Sequence, residues 1–159
     1  MGNKKQNSET IKELVNLYRI DDRLRHPNCP DYARTVPQYS DRTSNGLTKC
    51  IIDYVRLTGG QAERTSTTGR FIDKRIQFTD VVGRTREIGN AKWILSSGTC
   101  GSADISATIK GKSIKIEVKI GRDSQSEAQK AYQAQVERAG GIYIIARSFS
   151  DFLDQYKSL

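Results

Sequence analysis

Two alternating stretches joined by a Lys-Gly dipeptide constrain the fold of this chain more than any other feature. In ADISATI (residues 103–109) and KSIKIEVKI (residues 112–120), apolar side chains recur at every second position. That is the period of a strand with one buried face. A two-residue turn at Lys110-Gly111 fits between them, with Gly111 supplying the positive φ such turns need. The turn sets Ile109 against Lys112, Ala107 against Ile114 and Ile105 against Ile116. Ile105, Ala107, Ile114 and Ile116 then share one face, and a slip of one residue would turn that face to water. The same register puts Asp104 beside Glu117 on the other face, with Lys119 two residues further on.

Two carboxylates placed opposite each other on a sheet repel. They are tolerated when well solvated or when a cation bridges them. Lys119 projects from the same face about 7 Å beyond Glu117, so two acids and an amine converge. This set suits a hard divalent ion such as Mg²⁺ or Mn²⁺, which takes one or two carboxylates, keeps several waters and binds phosphate oxygen. A bound ion acidifies its water and offsets charge on a phosphodiester, while a nearby lysine can position the attacking water or help deprotonate it. A hairpin with a merely solvated outer face gives the same D-x12-E-x-K spacing, so spacing alone leaves both readings standing.

The charge balance favours a polyanion. Lys and Arg total 26 against 18 acidic residues, a net charge of +8 over 159 residues. Nucleic acid is the first partner such a balance implies, and the length fits one domain with an arm at one end. No window approaches the roughly 18 apolar residues of a membrane span, and MGNKKQNSET lacks the apolar run of a secretory signal. Gln6 stands where myristoylation of Gly2 would want Ser or Thr. Cys29, Cys50 and Cys100 are odd in number and widely spaced, and the lone HxxC of His26 and Cys29 lacks two further ligands. A chain with no membrane partner, in a reducing, cytoplasmic setting, is expected.

Along the chain, Ser8 can cap a helix with Ile11, Leu14, Val15 and Tyr18 on one stripe. Residues 21–46 hold all three prolines and read as an irregular segment that wraps the domain or reaches a partner. This N-terminal part, residues 1–46, precedes a domain over residues 47–159. There a second helix carries Leu47, Cys50, Ile51, Tyr54 and Val55 and stops at Gly59-Gly60. QAERT and RFIDKRIQF read as strands around a Thr-Thr-Gly turn, VVGRTREIGN as a polar, basic stretch and WILSS as a short strand. After the hairpin comes a helix in SQSEAQKAYQAQVERAGG, with Ser124 and Glu127 as its capping box. An apolar strand, GGIYIIA, and a terminal helix, SDFLDQYK, complete an α/β arrangement with a mixed sheet.

GSADIS, IEVKIGRD, SEAQKAYQ and GGIYIIA together resemble the VRR-NUC branch of the PD-(D/E)XK nuclease superfamily. That branch shows a small residue three before an Asp, a Glu-x-Lys on the next strand, then Ser-x-x-Gln opening a helix. Here these are Gly101 to Asp104, Glu117 with Lys119, and Ser126 with Gln129. GGQAERTSTTGR is similar to the family's Gly-Gly, strand and turn, and the resemblance covers about residues 45–156. It implies a restriction-endonuclease-like core, a central mixed sheet flanked by helices. It also implies a metal-dependent endonuclease acting on DNA, on branched or structured DNA as relatives tend to, and working as a homodimer. Asp104, Glu117 and the carbonyl of Val118 would hold Mg²⁺ or Mn²⁺, Lys119 would assist hydrolysis, and Gln129 would orient water or phosphate. As a residue of the helix's first turn, Gln129 also reads as a cap.

Two features depart from the family. Thr48 stands where the helix before Gly-Gly usually supplies an acid; Asp53 lies on the polar side of that helix, and Glu63 on the next strand is a substitute. Thirty residues, Phe71 to Cys100, intervene before the motif and read as an added β-hairpin with a basic tip at Arg84 and Arg86. It would touch substrate backbone or a second subunit. Arg64, Arg70, Lys115 and Arg122 are further candidates for phosphate contacts that carry no sequence information. Trp93 reads as a core residue. The empty acid position leaves a rival from another class, a nucleic-acid-binding protein that keeps the fold without catalysis.

Overall fold

Register governs the sheet, and the register follows from the turn. A computed structural model describes residues 2–66, 69–94 and 98–159, with side chains from residue 9 onward. The chain begins with helix α1 (Gly2–Arg25), a 3₁₀ turn at Asp31–Ala33, helix α2 (Ser44–Leu57) and strand β1 (Gln61–Arg64). Four short strands follow, β2 (Arg70–Asp73), β3 (Ile76–Thr79), β4 (Thr85–Ile88) and β5 (Ala91–Ile94). Then come β6 (Ile105–Ile109), β7 (Lys112–Val118), α3 (Glu127–Arg138), β8 (Ile142–Ala146) and α4 (Phe149–Lys157).

The central sheet has the order β1-β6-β7-β8. β1, β6 and β7 are antiparallel neighbours and β8 runs parallel to β7. The parallel step needs a long crossover, which α3 supplies. The chain is thus a mixed α/β protein with a mixed central sheet and helices. Ile109 pairs with Lys112, Ala107 with Ile114 and Ile105 with Ile116, as the two-residue turn requires. Both turn residues take positive φ, Lys110 at 50° and Gly111 at 76°, the conformation of a type I′ hairpin.

One face of the sheet carries the apolar core. Ala62, Ile105, Ala107, Ile109, Ile114, Ile116, Val118, Ile144 and Ala146 are buried in a single cluster with Leu14 of α1, Leu47, Cys50, Ile51, Tyr54 and Val55 of α2, and Phe149, Phe152 and Leu153 of α4. Edge-to-face aromatic pairs join α2 to α4, Tyr54 with Phe149 at 5.7 Å and with Tyr156 at 5.3 Å. The side chain of Thr43 caps α2 by accepting from the Gly46 amide, so this helix starts earlier than its apolar stripe alone indicates. α1 likewise extends beyond the stripe from Ile11 to Tyr18.

The proline-containing segment wraps the helices. Arg34 turns back onto the end of α1, donating to Asp22 Oδ2 at 2.7 Å and to the carbonyls of His26 and Cys29 at 2.8 and 2.6 Å. Tyr39 donates to Asp53 Oδ2 at 3.0 Å, and Asp41 accepts from the first amide of α4 at 3.2 Å. α1 and this segment belong to the same compact unit as the sheet, residues 1–65 with 101–159.

Residues 66–100 form a second unit. It is two nested ribbons rather than one hairpin, with β2 pairing β5 and β3 pairing β4. Of the stretches read as elements here, Thr67 and Thr68 of the Thr-Thr-Gly turn and Leu95–Ser97 of WILSS lie outside the described residues. Trp93 is not a core residue, being 56% exposed on β5. Burial of a strand residue needs a second layer over its face, which alternation alone does not reveal.

Positive φ is costly for Lys110 and required of Gly111. Gly111→Ala should therefore destabilise the protein by about 1 kcal/mol in urea titration. Lys110→Asn should stabilise it by roughly 0.5 kcal/mol, since Asn tolerates φ > 0 and the lost cation–π contact is weak when exposed. That contact is Lys110 over the Tyr156 ring at 5.8 Å.

Burial pushes the Cys50 thiol up to about 12, and its residue is fully enclosed. In the native protein a thiolate-directed reagent should modify exposed Cys100 rapidly and Cys50 only on unfolding, as mass spectrometry of alkylated peptides would show.

Candidate active site

On the face of β7 away from the apolar cluster, Lys115, Glu117 and Lys119 follow one another. Glu117 and Lys119 are almost wholly buried, at 1% and 6% exposure. Lys119 Nζ lies 3.2 Å from Glu117 Oε1 and 3.3 Å from Asp123 Oδ2, and donates to Gln129 Oε1 at 3.0 Å. Gln129 Nε2 donates to Glu117 Oε1 at 2.5 Å, and the Tyr143 hydroxyl donates to Glu117 Oε2 at 3.4 Å. Asp104, just before β6, accepts the Val118 amide on Oδ2 at 2.9 Å. The site is therefore a buried carboxylate held by an ammonium, an amide and a phenol, with a second carboxylate fastened at the end of the same strand.

Gln129 joins the site to the helix that covers it. Its Oε1 also accepts the Ser126 amide at 2.9 Å, while Ser126 Oγ accepts the Gln129 amide at 3.3 Å. These two bonds make a reciprocal capping box at the start of α3, and the cap is Ser126, not Ser124. A cap needs a side-chain acceptor that reaches the N3 amide, and Ser126 stands immediately before the first helical residue. The capping reading of Gln129 holds, and the same amide also holds Glu117 and Lys119.

Gly101 explains the small residue three before Asp104. A Cβ there would lie 2.5 Å from the Ala128 carbonyl oxygen and 2.8 Å from the Gln129 amide, and φ is +77°. Only glycine lets the turn before β6 rest against the first turn of α3.

Burial and the neighbouring Asp104 charge raise the pKa of Glu117 above the usual carboxylate range, with Lys119 pulling it back down. Burial and the Glu117 charge push the Tyr143 hydroxyl upward, which keeps it a proton donor to the carboxylate. A raised acid pKa means the unfolded chain releases this proton at lower pH than the native protein. The group's contribution to stability is then full below the ordinary carboxylate range and is lost as pH climbs through the raised value.

The other sequence candidates divide. Lys115 lies on the site's face and donates to Ser106 Oγ at 2.6 Å. Glu63 pairs with Ser106, so it shares that face on the edge strand and is exposed. Arg122 is exposed beside Asp123. Arg64 is paired with buried Ile105 and bonds Asn45 of α2 at 2.8 Å, which puts it on the opposite face. Thr48 is buried in α2 at 3% exposure, and Asp53 is taken up by Tyr39. Arg70, Arg84 and Arg86 belong to the second unit, where Arg86 pairs with Asp80 at 2.9 Å.

Tyr143 and Asp123 are site residues that spacing did not single out. Alternation in GGIYIIA puts Tyr143 on the face opposite half-buried Ile142 and buried Ile144, but its partner depends on β8 lying parallel beside β7, with Lys115 against Tyr143. Asp123 lies four residues beyond Lys119 and meets it only because the chain turns at Gly121, where φ is 61°.

No protein-family model matches the chain, and no curated protein matches it either.

The geometry separates capping from charge. Ser126→Ala should cost about 1 kcal/mol of stability. Lys119→Met, which leaves the Glu117 carboxylate without its ammonium, should cost about 3 kcal/mol at neutral pH. That larger loss should shrink at mildly acidic pH, where Glu117 takes up a proton, and urea titrations at the two pH values measure it.

Proposed function

We propose that this protein is a divalent-metal-dependent nuclease that hydrolyses phosphodiester bonds in DNA. The observation that carries the reading is the convergence of Asp104, Glu117, Lys119 and Gln129, drawn from two strands and a helix, on one spot of a basic protein. The succession α2, β1, β6, β7, α3, β8 supports a restriction-endonuclease-like core, and the resemblance to the VRR-NUC branch supports the same assignment of roles.

The donor set fits one hard ion. Two carboxylates at adjacent ends of paired strands, with the Val118 carbonyl directly after Glu117 in sequence, match a Mg²⁺ or Mn²⁺ ion that completes its shell with water and phosphate oxygen. Among the described residues no group of three or more His, Cys, Asp or Glu side chains is placed to hold a metal. The raised pKa of Glu117 marks a buried acid whose charge is only partly compensated. When bound, such an ion acidifies water and offsets charge on the phosphodiester.

The chain's own residues do the rest. Asp104 is oriented by the Val118 amide and Glu117 by Gln129 and Tyr143, so neither carboxylate must be reorganised at the moment of reaction. Lys119 is fixed by three acceptors with its amine toward the acids, where it would position the attacking water and meet negative charge developing on phosphate. Gln129, through the helix cap, sets the distance between α3 and the reacting groups. A small domain has little room for sequence readout, so cutting guided by DNA structure, on branched substrates, is the natural mode. Two copies would serve two strands.

One observation favours the non-catalytic reading. α2 offers the site no acid, because Thr48 is committed to the core and Asp53 to Tyr39. The same assay decides between the two. Single-stranded, duplex, flap and four-way DNA incubated with and without Mg²⁺ should be cut only with the ion, and Glu117→Ala and Lys119→Ala should each abolish cutting. Cutting that survives both substitutions removes this site from the chemistry, and DNA that is shifted on a gel but never nicked establishes the binder. Mg²⁺ should also raise the thermal midpoint of the wild-type protein and leave that of Glu117→Gln nearly unchanged.

A further inference from the structure

Phe71 and Trp93 are two of the large apolar side chains left exposed among the described residues. They sit opposite each other across β2 and β5, so they share one face of the ribbon, and each is 56% exposed. Trp93 is nonetheless seated. A Cβ on Gly69 would lie 2.3 Å from the indole Nε1 and 2.8 Å from Cε2, so the bare backbone of Gly69 is what lets the ring lie against it. An aromatic pair held in place with more than half its surface in water is a preformed contact surface.

Charge indicates what such a surface would meet. Residues 66–100 carry Arg70, Lys74, Arg75, Arg84, Arg86 and Lys92 against Asp73, Asp80 and Glu87. Arg75 holds Asp73 at 2.7 Å and Arg86 holds Asp80 at 2.9 Å. Arg70 and Lys92 neighbour Phe71 and Trp93 in sequence and lie on the other face of the ribbon, opposite Ile94 and Ile72. The aromatic face itself carries Asp73, whose charge Arg75 meets. Flat rings on a ribbon with a surplus of cations match a nucleic-acid strand whose bases are free to stack and whose phosphates follow the charges.

We propose that the Phe71–Trp93 face of the inserted unit is a stacking platform for unpaired nucleobases, and that this unit binds single-stranded segments of nucleic acid. The inference deepens the nuclease reading by naming the substrate feature recognised, and it rests on that reading only for the partner's class. A duplex conceals its base faces and offers the ribbon phosphate alone, so the platform distinguishes unpaired from paired strands without reading sequence.

Trp93 is the single tryptophan of the chain, so indole emission reports on the platform directly. The full-length protein, in chelator to prevent cutting, is titrated with oligothymidylate and with a duplex of equal length. Emission and the anisotropy of labelled DNA are followed. The single strand should quench Trp93 saturably and the duplex far less. Phe71→Ala should weaken single-strand binding about tenfold while leaving duplex binding within about twofold. Trp93→Phe should keep the affinity that Trp93→Ala loses, which separates stacking from misfolding. Equal quenching by duplex, or wild-type single-strand affinity in Phe71→Ala, overturns the proposal. So does emission that changes with protein concentration alone and not with DNA, which would assign the face to a second copy. Single-strand binding by a wild-type protein that never cuts with Mg²⁺ leaves the platform standing while the nuclease reading falls.

Discussion

Burial of the Glu117 carboxylate is the constraint on which the rest of the site depends. An ionised carboxylate withdrawn from water is costly unless its charge and lone pairs are met. Here they are met by Lys119 from the same strand, Gln129 from the crossover helix and Tyr143 from the parallel strand. Each partner arrives through a different piece of the fold. Strand pairing alone does not satisfy Glu117, and the helix alone does not, so local elements and site become stable together. Gln129 tightens this further, because the amide that caps α3 is the amide that holds the carboxylate, and Gly101 lets the turn before Asp104 close against that same helical turn.

The sheet divides its labour by parity. Even-numbered residues of β7, Ile114, Ile116 and Val118, complete the apolar cluster with α1, α2 and α4. Lys115 and Glu117 carry their charges on the other face. This division also accounts for α2's lack of an acid at the site. The helix spends its stripe on the apolar face of the sheet, so Thr48 is buried among Leu47 and Ile51 and has no route to the side where Glu117 lies. Any acid α2 could present would have to reach around the edge strand, which is where exposed Glu63 already stands on the correct face.

How much of this could be read from the sequence follows from how local each signal is. The hairpin and its register were legible because a two-residue turn and strict alternation leave one solution, and Asp104, Glu117 and Lys119 came with it. The cap was displaced by two residues, from Ser124 to Ser126, because capping-box spacing occurs twice in SQSEAQ and only the helix start chooses between them. Tyr143 depended on a parallel pairing that no local pattern encodes, and Asp123 on a left-handed turn at Gly121. Trp93 was misread because an apolar residue on a strand is buried only if a second layer covers it, and layers are a property of the whole unit.

The acidic centre and the basic total of the chain are two sides of one electrostatic problem. Asp104, Glu117 and Asp123 stand against Lys115 and Lys119 around this face, so a phosphate backbone approaching it would meet carboxylate charge unless a divalent ion were bound. For a nuclease of this kind, affinity for DNA must therefore come from positive charge held elsewhere, where it can neutralise phosphates without disturbing the carboxylates. The surplus of +8 supplies that charge, and the inserted unit carries a share of it in a part of the chain that contributes nothing to the buried network around Glu117. Binding and chemistry would then be separable in sequence. An insertion between β1 and β6 could change what is bound while the register of β6 on β7, and with it the reacting groups, stays fixed.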